Sequence, residues 1–162
     1  MNYMEITEAK AAKMLDNAQL YADSHSTCAK VRVGSLILTQ NEEIITGANH
    51  GVCNCAKNGC RRIKLYGENS KEHRLPSDCD SIHSEIDAIS KAAKSGIRLM
   101  DATIFVTRYP CENCARAIAE SGISTIIYGR KEDISKYTQQ ILDDAGVKCY
   151  KLPTWNREDN NA

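Results

Sequence analysis

From residue 82 onward, helical and strand-like segments alternate with short polar joints, and that alternation leaves few topologies open to the chain. Helical spacing runs from about Ile82 to Ser95 and halts at Gly96, "ATIFVTR" (102–108) reads as a strand, and a second helix from about Cys111 to Ser121 halts at Gly122. "STIIYG" (124–129) is the next strand, and a helix over about 133–144 leads through Gly146 to the strand "VKCYKL" (147–152). Each strand–helix–strand unit crosses over right-handedly, so these three strands are expected to lie parallel in one sheet. Upstream, Thr7 to about Asp23 puts Ala11, Met14, Leu15, Ala18 and Tyr21 or Ala22 on one helical face, with Thr7 as N-cap. "VRVGSLILT" (31–39) and "IITGAN" (44–49) flank the polar break "QNEE" as two strands of a tight hairpin. The expected fold class is α/β, in three α/β/α layers around a five-stranded mixed sheet whose last strands are parallel. Residues 1–152 form a single domain, and 153–162 form a polar, frayed C-terminal tail.

With 21 basic and 21 acidic residues the chain has no net charge and no field to steer a polyanion, so nucleic acid is an unlikely partner. No run approaches the roughly 18 apolar residues of a membrane span. The start "MNYMEITEAK" lacks a basic segment leading into an apolar one, so a cytoplasmic protein with no membrane contact is expected. Thiols stay reduced in that compartment, which makes metal binding the leading explanation for the 8 cysteines. Residues 50–80 hold Cys53, Cys55, Cys60 and Cys79 and show neither period, so something other than a hydrophobic face must order them. Cys149, alone in the last strand, reads as a small core residue.

In "YPCENC" the thiols of Cys111 and Cys114 stand on one side of a first helical turn, where unpaired N–H groups and the macrodipole favour thiolate. His83 opens the preceding helix and reaches the same ion if the two helix starts lie side by side at the carboxyl ends of neighbouring strands. One imidazole and two thiolates, with a fourth position left to water, is the ligand set of a catalytic zinc, whereas structural sites are closed by four. Glu85, two residues past the histidine, sits where a carboxylate can shuttle protons without ligating the ion. Taken singly, a Cys-x-x-Cys is often half of a structural site or a redox pair, and a histidine at a helix start is often a surface residue. In this order, His-x-Glu then Pro-Cys-x-x-Cys is the signature of zinc-dependent nucleobase deaminases.

On "STCAKVRVGSLIL", "IHSEIDAI", "ATIFVTRYPCENCARAIAESGI" and "IIYG", the sequence resembles the cytidine and deoxycytidylate deaminase superfamily, most like its bacterial and phage dCMP deaminases, from about Ser26 to Leu152. The resemblance implies a cytidine-deaminase-like fold, zinc on His83, Cys111 and Cys114, and Glu85 as general acid and base. It also implies that Asn49 contacts the substrate sugar. The reaction implied is hydrolytic: a zinc-bound hydroxide adds to C4 of the cytosine ring, Glu85 protonates N3, and ammonia leaves, so that dCMP becomes dUMP. Cys28, Cys55, Cys60 and Cys79 resemble positions that bind a second, structural zinc, with Cys53 or His73 as substitutes for one member. A homo-oligomer, a hexamer by resemblance, and Mg2+ accompanying a nucleotide effector belong to the same expectation. The chain departs from the family at Gly47–Ala48–Asn49–His50, where Gly-Tyr-Asn-Gly is usual, and at Asp87, where asparagine is usual.

Arg108 and Tyr109 precede the zinc helix and are candidates for a 5′-phosphate contact and for the pocket wall; Arg130 and Lys131 are weaker phosphate candidates. "CRRIK" (60–64) reads as solvated surface. Two other enzyme readings are a deaminase of dCTP, deoxycytidine or modified dCMP, and one acting on a base in tRNA, which would want a basic, aromatic-rich face. A zinc-organised binding module is the non-enzyme reading, and it has no use for Glu85.

Overall fold

A computed structural model describes residues 6–68, 79–131 and 136–157. In chain order the elements are α1 (Glu8–His25), β1 (Gly34–Leu38), β2 (Ile44–Ala48), α2 (Cys55–Asn58), α3 (Arg61–Tyr66), α4 (Ser84–Ser95), β3 (Thr103–Arg108), α5 (Glu112–Ser121), β4 (Thr125–Arg130), α6 (Thr138–Asp144) and β5 (Lys148–Lys151). The strands form one sheet in the order β2-β1-β3-β4-β5. β1 runs antiparallel to β2 and to β3, while β3, β4 and β5 are parallel.

Alternation along the strands sends successive side chains to two separate cores. Leu36, Leu38 and Phe105 meet Ala11, Met14, Leu15 and Ala18 of α1 on one face. Ile37, Ile104, Val106 and Ile126 meet Ala88 and Ala92 of α4, Ala115 and Ile118 of α5 and Leu142 of α6 on the other. These are the three layers expected. Thr7 caps α1 by accepting the Lys10 N–H at 3.2 Å, and α4 and α5 close on Gly96 and Gly122 in the left-handed conformation.

Three segments differ from the sequence reading. The helix expected over about 133–144 is α6, which begins at Thr138, and residues 132–135 lie outside the described residues. The stretch after β2 contains the short helices α2 and α3, which bury no residue and are too brief to print a period. The tail is not frayed as far as it is described: Trp155 is buried in the α1 core, its indole N–H donates to Asp16 Oδ1 at 3.0 Å, and the Thr154 hydroxyl donates to Glu8 at 2.6 Å. A lone tryptophan among polar residues has no periodic partner, so its burial was not visible in the sequence.

Candidate active site and metal centre

β2 and β3 both end on the same side of the sheet, since each is antiparallel to the β1 strand between them. α4, brought to the end of β2 by the His50–Ile82 bridge, and α5 begin there: His83 is the N-cap of α4 and Cys111 the N-cap of α5, and neither makes a side-chain cap hydrogen bond. Both side chains are therefore free to face one another. His83 Nδ1 lies 3.5 Å from Cys111 Sγ and 3.4 Å from Cys114 Sγ. Among the described residues, these three are the one group of three or more metal donors whose atoms all lie within 4.8 Å of each other. A tetrahedral zinc with Zn–S of about 2.3 Å and Zn–N of about 2.0–2.1 Å places its nitrogen and sulfur ligands about 3.5 Å apart, so the donors fit the ion without rearrangement.

The protonation pattern suits metal loading. A hydrogen bond from the Cys114 thiol, reinforced by His83, holds Cys111 down to about 4, and His83 is raised, first by that same Cys111 contact. The Cys114 thiol is pushed up by its bond to Cys111, by burial and by the neighbouring Glu85 charge. Cys111 is thus ready as a thiolate, and a cation displaces the proton that Cys114 retains.

Glu85 is 4% exposed and stands outside the ligand group, with burial raising its carboxyl above the ordinary range. Its Oε2 accepts the Ser84 hydroxyl at 3.2 Å, and the Ser84 and Ser35 hydroxyls are 2.6 Å apart, both fully buried. Neither serine was singled out from the sequence. Ser84 lies inside the His-x-Glu motif, and that adjacency was the available signal.

The start of α4 is fixed against β2 by several contacts. His50 and Ile82 exchange backbone bonds of 3.2 and 2.8 Å immediately before His83. Asp87 accepts the Ala48 N–H at 3.0 Å, His50 Nε2 at 3.1 Å and Lys91 Nζ at 2.8 Å, and Lys91 donates onward to Thr46 O and to the Tyr21 hydroxyl. Since β2 is an edge strand, this Asp–Lys pair occupies backbone groups that no neighbouring strand takes. Burial favours the neutral acid at Asp87, but Lys91, the Ala48 N–H and His50 outweigh it and hold the carboxyl below its usual value.

The remaining candidates fall in distinct places. Asn49 is buried, with Oδ1 accepting Ser26 Oγ at 2.7 Å and the Val33 N–H at 2.9 Å while Nδ2 donates to Val31 O. It holds the 26–33 segment in place beside the end of β2. Arg108 ends β3 in register with Arg130 of β4. Tyr109 is not an open loop residue: it is 8% exposed, packs edge-on against Tyr128 at 4.8 Å and donates its hydroxyl to Gln139 Oε1 of α6, and burial pushes it up to about 12. The Arg130 guanidinium donates to Gln19 Oε1 and Arg157 O and lies 5.2 Å from the Trp155 ring. Lys131 Nζ stands 5.1 Å over the Tyr109 ring.

The second cysteine group is gathered more loosely. The Cys55 thiol is raised by burial and then by the charges of Cys60, Cys28, Cys79 and Cys53, and the Ala56 N–H binds Thr27 O beside Cys28 at 3.0 Å. Among the described residues, no three of these sulfurs lie within 4.8 Å of one another as the first group does. His73 lies outside the described residues.

Comparison with known proteins agrees with the geometry. The family described as "Cytidine and deoxycytidylate deaminase zinc-binding region" matches residues 8–130. The deoxycytidylate deaminase of Enterobacteria phage T2 is 31% identical over 92% of this chain and 95% of its own, and that of phage T4 is 30% identical over 91% and 92%. ComE operon protein 2 of Bacillus subtilis is 31% identical over 81% of this chain and 68% of its own. The dCMP deaminase of cyanophage S-TIM5, solved with dCMP and dUMP, superposes with a TM-score of 0.64 at 24% identity, covering 93% of this chain and 99% of that one, and shares the fold. No described helix is long and apolar enough to cross a membrane. The chain belongs to the cytidine and deoxycytidylate deaminase family, a family of hydrolytic deaminases.

Proposed function

We propose that this protein converts dCMP and water to dUMP and ammonia. One observation carries the reading: three metal donors meet within 4.8 Å at two helix starts, with a buried carboxylate beside them that is not one of the donors. The substrate follows from relatives across nearly the whole chain that are named deoxycytidylate deaminases. His83, Cys111 and Cys114 would hold zinc, which when bound would supply Lewis acidity and lower the pKa of water at the site. Glu85 takes a proton from the attacking water and places it on N3 of the cytosine ring as the water oxygen bonds to C4. Glu85 then takes the remaining proton from the new C4 hydroxyl and delivers it to the amino group, so that C4=O forms as the C4–N bond breaks and ammonia leaves. Burial suits Glu85 to both tasks, since a raised carboxyl binds and releases a proton near neutral pH more readily than an exposed one. Asn49, Arg108 and Tyr109 flank the same strand ends and are the proposed contacts for sugar, phosphate and pocket wall.

A second zinc on Cys28, Cys55, Cys60 and Cys79 is part of the proposal, resting on the family resemblance and on the influence of the other thiols on Cys55. It would order a segment whose helices bury nothing of their own. Hexamer formation and Mg2+ with a nucleotide effector rest on the family resemblance, and sizing chromatography with and without dCTP reads both. The functional test is ammonia release from cytosine, deoxycytidine, dCMP, dCTP and the ribo-counterparts. The highest kcat/KM is expected for dCMP, and Glu85→Gln should retain zinc while losing about 10³-fold or more in kcat. Zinc-loaded protein that deaminates none of these compounds would point to the binding-module reading instead.

A further inference from the structure

Ser35 lies on β1, on the sheet face that otherwise supplies Ile37 to the apolar core under α4, and its hydroxyl is fully buried there. A buried hydroxyl at an apolar position is unfavourable unless it is hydrogen-bonded, and its one partner among the described residues is the equally buried Ser84 Oγ at 2.6 Å. Ser84 has a single hydroxyl hydrogen, which it gives to Glu85 Oε2 at 3.2 Å. The short bond to Ser35 must therefore run the other way, with Ser35 donating and Ser84 accepting.

We propose that Ser35 and Ser84 form a directed hydroxyl relay from the sheet to Glu85, and that they act as positioning residues for deamination. The relay fixes Glu85 Oε2, which leaves Oε1 as the oxygen that carries protons. Both serines are closed to solvent, so water cannot take over for either hydroxyl. Ser84 contacts Glu85 directly and Ser35 acts only through Ser84, so the two should not contribute independently. The inference rests on Glu85 being the proton carrier.

The test uses zinc-loaded full-length protein with Ser84→Ala, Ser35→Ala and the double substitution, measuring kcat and KM for dCMP together with zinc content. A lost positioning contact lowers kcat and kcat/KM alike. Ser84→Ala should lose roughly 10-fold in kcat with KM within about two-fold, Ser35→Ala roughly 3-fold, and the double variant no more than Ser84→Ala alone. Zinc content should be unchanged in all three. Denaturant midpoints of the metal-free protein give a readout that needs no turnover: Ser35→Ala and Ser84→Ala should be non-additive, as should Ser84→Ala and Glu85→Gln. Additive midpoints, a Ser84→Ala kcat within two-fold of wild type, or a loss that tracks lost zinc would each overturn the relay. A wild type active on dCMP with an unaffected Ser84→Ala removes the relay alone, whereas a Glu85→Gln variant of undiminished activity removes the proton-carrier assignment and the relay with it.

Discussion

Replacing Gly47 with alanine should damage both stability and chemistry, although Gly47 touches neither metal nor substrate. A Cβ at this position would lie 2.2 Å from Ser84 O, 2.7 Å from Ala88 N and 3.0 Å from Ala88 Cβ. The two nearest atoms are backbone, so no side-chain rotation relieves the overlap. To restore ordinary contact near 3.4 Å, the first turn of α4 must retreat from β2 by roughly 1.2 Å. That retreat strains the Asp87 bond to the Ala48 N–H and the Ser35–Ser84 bond, each fitted to the present spacing. Overpacking alone costs about 1–3 kcal/mol, and a strained buried hydrogen bond adds about 1 kcal/mol, so Gly47→Ala should lose about 2–4 kcal/mol. Ser84 lies between His83 and Glu85, and displacing a catalytic group by about 1 Å costs on the order of 10²-fold in rate. Urea unfolding with kcat measured on the folded, zinc-loaded variant checks both. A Gly47→Ala protein within 1 kcal/mol and three-fold of wild type would refute close α4–β2 packing as the device that sets the site.

Two further predictions follow from the contacts around α4 and from the second cysteine group. Asp87→Ala should cost about 2 kcal/mol, chiefly by stranding the Ala48 N–H, with the Lys91 pair discounted because that ammonium remains partly exposed. Asp87 is held below its unfolded value, so its contribution is present above the ordinary carboxylate pKa of about 3.9 and fades as pH falls through the lower folded value. Lys91 is held above its unfolded value, so its share is full below about 10.4 and is lost as pH rises through the folded value. Urea midpoints of wild type and variant should therefore differ by a constant amount from about pH 5 to 9, and the charge-dependent share of the gap should shrink as pH falls below about 3.9; a gap that does not narrow there contradicts the charge assignment. Cys79→Ser should lower the zinc content from about two ions per chain to about one and reduce the melting temperature, with kcat per folded chain retained. Elemental analysis showing one ion in both proteins would eliminate the four-thiolate site.

The sequence makes the parallel half of the sheet legible because β-branched strands and amphipathic helices alternate there, and right-handed crossovers do the rest, although the last helix starts later than its pattern suggests. The metal group is legible because each ligand is tied to a helix start, although the two starts face each other from the ends of β2 and β3, with β1 between them, and not from neighbouring strands as the sequence suggests. What escapes depends on contacts between elements. Trp155 is buried because Gly129 leaves a gap beneath it, and a Cβ there would fall 2.2 Å from the indole. Arg130 is committed to Gln19 across 111 residues, a partner that no local pattern announces. Tyr109 looks like a loop residue until α6 supplies Gln139. Ser35 follows strand alternation as though it were apolar, and only the arrival of Ser84 explains its hydroxyl.

The most direct test of the metal centre is anomalous diffraction at the zinc absorption edge from crystals of the purified protein. The account predicts a peak bonded to His83 Nδ1, Cys111 Sγ and Cys114 Sγ, with a fourth ligand that is not a side chain and that lies beside the Glu85 carboxylate. A fourth side chain closing that position, or no peak among these three donors, would contradict it.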